Sequence, residues 1–197
     1  MKKDFIEVDG SIGEGGGQIF RTALAYSAVT RKPILIKNIR AKRKNPGLRP
    51  QHLAALKALA TITNAKVEGA FVSSTKVYFE PRKIKGGRYN IDPGTAGSIS
   101  LIIQAILPAL LFAEDNTEID IKGGTDVPMA PPIDAIRFVL IPFLNRIGAN
   151  VELELIKRGH YPRGGGHIRL HVEPINKIKP IRLINQGNVL GIRGISH

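Results

Sequence analysis

The stretch GSIGEGGGQIFR, residues 10–21, decides the fold. Consecutive glycines have no Cβ, so their backbone can take φ > 0 at little steric cost and come close to a ligand. Downstream, QIFRTALAYSAVT places Ile19, Phe20, Ala23, Leu24, Ser27 and Ala28 at roughly helical spacing, which predicts an amphipathic helix. Upstream, Phe5, Ile6 and Val8 predict a short strand. Strand, glycine turn and helix in that order leave free N–H groups at the helix start, an arrangement suited to phosphate. The common phosphate loops are absent: there is no GxxxxGK[ST], and Gln18 breaks GxGxxG. Glu14 puts a carboxylate inside the turn, where burial requires a partner such as a divalent cation or a substrate hydroxyl. Gln18 and Arg21, three apart on the first turns of the helix, can reach one ligand.

Charge placement points the same way. The formal net charge is +13, yet between Gly15 and Val67 there is no Asp or Glu at all. That span holds 11 of the 29 Lys and Arg residues, a one-signed field that attracts phosphate backbones. Cysteine is absent, which excludes disulfides and thiolate metal sites and fits a reducing compartment. The start MKKDFIEVDG has no apolar signal core, and the apolar run 99–113 is too short and too interrupted to span a bilayer. These features predict a soluble, cytoplasmic protein with no membrane partner.

The remaining chain repeats the opening pattern. After the first helix come a strand at 33–39, the basic loop RAKRKNPGLRP at 40–50 and a helix at 51–63 that Pro50 starts. Strands at 66–72 and 76–80 complete a β-α-β-α-β-β unit. The same order recurs about 80 residues later. A strand at 88–92 leads into PGTAGS at 93–98 and a helix at 99–113. A strand at 117–122, the loop GGTDVPMAPP, a helix at 133–147 and a hairpin at 151–157 and 167–173 follow. The fold class is therefore α+β, built from tandem units of a four-stranded sheet and two helices. Residues 1–87 and 88–180 form the units, with both special loops of each on one side and a cleft between units. Residues 189–192 predict an opening strand of something further.

Other candidates are weaker. His167 and His171 share the outward face of a strand with Arg169, which argues against a zinc pair. His160 is a turn residue, and Asp126 caps a turn or orients a cation ligand. His52 opens the second helix beside Arg49 and Gln51, where an RNA phosphate is expected. Gln104 lies mid-helix among apolar neighbours, where an amide needs a partner.

Five motifs together carry a family resemblance. GEGGGQIFR at 13–21, NPGLRPQHL at 45–53, GTAGSISLIIQ at 94–104, GGTDVPMAPP at 123–132 and RGHYPRGGGHI at 158–168 resemble, in this order, the RNA 3′-terminal phosphate cyclases. The resemblance implies a ligase that uses ATP to convert an RNA 3′-phosphate into a 2′,3′-cyclic phosphodiester, releasing AMP and pyrophosphate. It implies a histidine that takes AMP, AMP transfer to the RNA phosphate, and attack by the vicinal 2′-OH. It places Glu14 at a divalent metal, Mg or Mn. Arg21, Arg40 and Arg43 go to the terminal phosphate or triphosphate, with Gln18, Gln51 and His52 nearby. Gln104 and Pro131 border the nucleotide, beside Gly15 and Gly16 of the turn. Family members are longer, so the chain resembles their N-terminal two-thirds, with 181–197 opening an inserted small α/β domain. None of the five histidines stands at the catalytic position of the resemblance, which puts self-adenylylation by this chain alone in doubt. Two alternatives differ in class: an inactive cyclase-like RNA-binding factor in ribosome assembly, and an enolpyruvyl transferase built from similar repeats.

Overall fold

The computed structural model describes residues 4–196. The first unit runs β1 (Ile6–Asp9), α1 (Gly17–Thr30), β2 (Ile34–Lys37), α2 (Pro50–Thr63), β3 (Lys66–Glu68) and β4 (Val77–Glu80). The second runs β5 (Gly87–Ile91), α3 (Ile99–Leu110), β6 (Thr117–Gly123), α4 (Ile133–Ala135), a π turn (Ile136–Leu140), α5 (Ile141–Arg146), β7 (Asn150–Lys157) and β8 (Gly166–Glu173). The sheets have equivalent topologies, β1-β2-β4-β3 and β5-β6-β8-β7. In each, the first pair is parallel and the others antiparallel. The repeat expected from sequence is thus a structural repeat.

Alternating strands put one face of each sheet on the helices. In β8, Ile168, Leu170 and Val172 are buried while Arg169 is exposed, and His167 and His171 share its face. His167 Nε2 lies 2.8 Å from an Asp120 oxygen on the neighbouring strand. Helix α3 packs on both α1 and α2. Phe20, Leu56, Ile102, Phe79, Ile121 and Leu170, drawn from both units, belong to one continuous hydrophobic cluster. The apolar run at 99–113 is therefore the shared wall between units, and no described helix is long and apolar enough to cross a membrane.

Three expectations change. β3 stops at Glu68 because residues beyond it are spent on the basic loop: Ser73 N–H donates to Leu48 O (2.7 Å), Leu48 N–H to Ser74 O (2.9 Å) and Ile39 N–H to Thr75 O (3.0 Å). The helix at 133–147 is broken by the π turn, since Pro142 has no N–H and its ring would collide with the carbonyl one turn earlier. Residues 189–192 form no strand, because nothing in the described chain pairs with them; 181–196 are exposed coil.

One shared core predicts one cooperative transition. Equilibrium urea unfolding should be two-state, and Ile102→Ala should lower stability by about 2–5 kcal/mol without splitting it. Two separable transitions would contradict the shared wall.

Candidate phosphate site at the first helix

α1 begins bare. Its N-cap Gly16 makes no side-chain capping bond and its first turn carries no acidic residue. The equivalent helix of the second unit is capped, Ser98 accepting from Leu101 N–H at 3.2 Å. Of these two equivalent helices, α1 is the one that leaves its first N–H groups for another acceptor, and the positive end of the dipole with them.

Basic side chains press against this helix start. A Cβ on Gly16 would stand 2.9 Å from Arg43 Nη2, and one on Gly17 would fall on His52 Nε2 and 3.0 Å from Arg21 Nη1. The glycines are required because the second loop and α2 approach the turn this closely. Lys42 Nζ donates to Gly13 O at 2.9 Å, tying loop to turn. Arg40, held at φ 55°, donates through Nη1 to the carbonyls of Asn45 (2.6 Å) and Gly47 (2.9 Å). The loop at 40–49 is thereby folded around its own arginine.

His52 sits at the centre. It is 3% exposed, and its Nδ1 accepts from Arg49 N–H at 3.2 Å. Burial, and then the charges of Arg21, Arg40 and Arg49, push its pKa down to about 3. Burial lowers the pKa of Arg21; burial and the charges of Arg49 and Arg43 lower that of Arg40. With Nδ1 accepting and the ring neutral, the proton resides on Nε2. Three guanidiniums thus act on a neutral imidazole, and Arg43 adds a fourth beside Arg40 at the helix start.

Glu14 departs from expectation. Its side chain is 90% exposed, at the tip of the turn between Gly13 (φ 58°) and Gly15 (φ 55°), and it pairs with Arg43 at 3.2 Å. Water covers it, so it needs no buried cation. Among the described residues no group of three or more His, Cys, Asp or Glu is placed to hold a metal. A single carboxylate fits Mg²⁺ or Mn²⁺ only if phosphate oxygens and water supply most of the ligands, which is the habit of Mg²⁺.

The remaining residues divide into two groups. Gln51 lines a cleft of about 610 Å³ between the units, together with Arg49, Thr95, Gly97, Val127 and Tyr161. The end of the basic loop and both special loops of the second repeat line it, while no residue of the glycine turn does. Gln18 is exposed at the start of α1, while Arg21 is half-buried one turn on. Pro131 O accepts from Ser100 Oγ at 2.6 Å, which seats the proline loop one helical turn before Gln104. Gln104 is exposed and lines a separate apolar groove with Leu107, Leu111, Leu140 and Leu144, so its amide has water and no buried partner is needed.

Sequence reasoning missed Lys42, although it lies in the acid-free span, and named Arg49 only as a neighbour of His52. It also missed Arg158, whose guanidinium bridges Asp126 (3.2 Å) and Asp134 (2.7 Å). Thr125 N–H donates to Gly159 O at 2.8 Å, and His160 bridges Asp126 and Gly164. The glycine-rich hairpin is thereby locked to the proline loop, and Asp126 serves that lock.

The fold and site define a repeat-built α+β protein with a basic, carboxylate-poor cluster at a bare helix start. The model of the RNA 3′-terminal phosphate cyclase family matches residues 12–189, and the chain belongs to that family. It is 58% identical over 195 residues to the RNA 3′-terminal phosphate cyclase of Staphylothermus marinus, covering 98% of this chain and 55% of that relative. With the protein of the same description from Methanopyrus kandleri it shares 50% identity over 192 residues, 98% of this chain and 54% of the relative. The chain spans about half the length of the curated relatives it matches, less than the two-thirds expected. A solved EPSP synthase from Acinetobacter baumannii aligns over 92% of this chain and 50% of its own, at 14% identity and a TM-score of 0.42, too low to carry an argument.

The state of His52 makes a linkage prediction. Unfolded, it takes a proton below its ordinary pKa of 6.5; folded, it stays neutral down to about 3. Between those values the unfolded state binds the extra proton, so stability falls on acidification by about 1.4 kcal/mol per pH unit from this group alone. His52→Asn, whose Oδ1 can accept from Arg49 N–H, should flatten the stability profile between pH 6.5 and 3. An unchanged acid slope, measured by denaturant unfolding, would contradict a neutral His52.

Proposed function

We propose that these residues form the phosphate-holding part of an ATP-dependent RNA 3′-terminal phosphate cyclase, a ligase and a true cyclase rather than an inactive cyclase-like factor. The observation that carries the reading is the gathering of Arg21, Arg40, Arg43 and Arg49 at an uncapped helix start, with Glu14 on Arg43 as the carboxylate beside them. Like charges so arranged repel one another until a multiply charged anion joins them. A terminal phosphate satisfies both the guanidinium forks and the free helical N–H groups. Retention of Glu14 favours a catalytic role, since a binding scaffold gains nothing from a carboxylate in a phosphate site.

In this reading ATP and the RNA 3′-phosphate are the substrates. AMP is transferred to the terminal phosphate, pyrophosphate leaves, and the vicinal 2′-OH attacks phosphorus as AMP departs, losing its proton. Arg21, Arg40 and Arg43 hold and neutralise the phosphoryl oxygens so that the 2′-OH lies in line. Gln18, Gln51 and His52 position the RNA end; Gly15 and Gly16 border the nucleotide, and the family resemblance adds Gln104 and Pro131, of which Gln104 faces a groove of its own. Glu14 holds Mg²⁺ or Mn²⁺, which when bound supplies charge neutralisation at the polyphosphate.

We place the AMP-accepting histidine outside these 197 residues. His52 is unsuited: its Nδ1 lone pair accepts from Arg49 and its Nε2 carries the proton. Residues 1–87 and 88–180 are then the two catalytic units, and 181–197 lead into a further domain.

Two measurements test this. RNA ending in a 3′-phosphate should bind at least about tenfold tighter than the same RNA ending in 3′-OH, by fluorescence anisotropy, and Arg43→Ala should erase the difference. Equal binding of both ends by the wild type would overturn the assignment. In the protein extended to the full length of its relatives, Glu14→Ala and Arg21→Ala should each strongly reduce incorporation of labelled AMP from ATP. Normal incorporation in both would refute their roles.

A further inference from the structure

A second depression lies beside the inter-unit cleft. It occupies about 420 Å³ between α2 and the edge strand β5, lined by Lys57, Thr61, Val72, Tyr89, Asn90 and Asp92 among others. Pro50 and Thr95 line both depressions, so the two form one channel along the seam between units. Each part falls within the range of about 300–1,000 Å³ usual for small-molecule sites. One end opens at Arg49, the guanidinium that also acts on His52 and Arg40 in the arginine cluster. The channel thus shares Arg49 with the candidate phosphate site.

Its lining has mixed chemistry. Flat apolar surface comes from Pro50, Ala54, Pro93 and Pro128, and aromatic rings come from Tyr89 and Tyr161. Gln51, Asn90, Thr61 and Thr95 offer hydrogen-bonding groups, and Lys57 an exposed cation. The acid in it, Asp92, is turned to its own loop, its carboxylate accepting from Gly94 N–H at 2.8 Å. Tyr161 is 68% exposed at the mouth, and Tyr89 hydroxyl donates to Lys85 O at 2.9 Å, fixing its ring along the strand edge. Stacking surfaces, amides and a cation along one groove are the features by which proteins hold single-stranded nucleic acid.

We propose that this channel receives the nucleotides immediately preceding the terminal phosphate of a single-stranded RNA, with Tyr161 as a stacking surface and Lys57 as a backbone phosphate contact. The proposal rests on the reading of the arginine cluster as the terminal-phosphate site, and it adds a path for the strand leading into it. Affinity then depends on how many nucleotides precede the end, because a mononucleotide reaches only the arginines and the channel mouth.

The test compares binding of pyrophosphate, uridine 3′-monophosphate and 3′-phosphorylated oligouridines of two, three and four residues, by calorimetry or competition. For the wild type, affinity should climb with length up to the tri- or tetranucleotide. Tyr161→Ala should weaken the trinucleotide at least about fivefold, as loss of a stacked base does. Lys57→Glu should weaken it comparably and lessen its salt dependence. Neither side chain belongs to the core, and pyrophosphate binding by each variant reports that the phosphate site is intact. Length-independent affinity, or trinucleotide binding by both variants equal to wild type, overturns the channel while leaving the phosphate site standing. Undiminished pyrophosphate and RNA binding by Arg43→Ala overturns the underlying reading instead.

Discussion

The site depends on an electrostatic imbalance held in place by hydrogen bonds that are not ionic. Arg21, Arg40 and Arg49 crowd His52, Arg43 stands against Arg40, and a carboxylate, Glu14, meets Arg43 from the solvent side. Such a cluster persists in the free protein because uncharged acceptors fix it, some of them holding charged donors. Arg40 is bound to two loop carbonyls, His52 caps the Arg49 N–H, and Lys42 is tied to Gly13 O. Keeping His52 neutral removes one more positive charge from a place that cannot accommodate it. An anion bound there would relieve this repulsion, as the phosphate-site proposal requires.

The fold supplies the approach distances. α1 and α2 share one core with α3, and the segment 70–75 laces the basic loop to the first sheet through backbone bonds rather than salt bridges. Glycine at 16 and 17 lets Arg43 and His52 come within contact of the helix start. The second unit has the same topology but caps its helix with Ser98, and its special loops are committed to each other through Arg158, Asp126 and Asp134. One repeat gathers arginines at a bare helix start, and the other is braced by its own ion pairs.

Much of this was legible in the sequence. The glycine turn before an amphipathic run, Pro50 at a helix start and the doubled order of elements gave the architecture, because backbone preferences and periodicity are local. Arg40 and Arg43 were assigned beside Arg21 by family resemblance, charge segregation alone marking only the acid-free span they lie in. The failures have local causes too. Glu14 was expected to be buried, but its position between two left-handed glycines puts it at the tip of the turn. Gln104 looked buried from its apolar neighbours, yet the open side of α3 is a long-range feature that periodicity does not reveal. Nothing in the spacing of Arg158, Asp126 and Asp134 announces their meeting, since the hairpin register that joins them forms across the sheet.

The most direct measurement is thermal unfolding of the 197-residue chain with and without pyrophosphate, at ionic strength matched with chloride. Saturation to about a hundredfold above Kd should add close to 2.7 kcal/mol of stability. The gain should vanish when Arg21, Arg40 and Arg43 are replaced together. A melting temperature indifferent to pyrophosphate in the unaltered protein would contradict the claim that these arginines are poised for an anion.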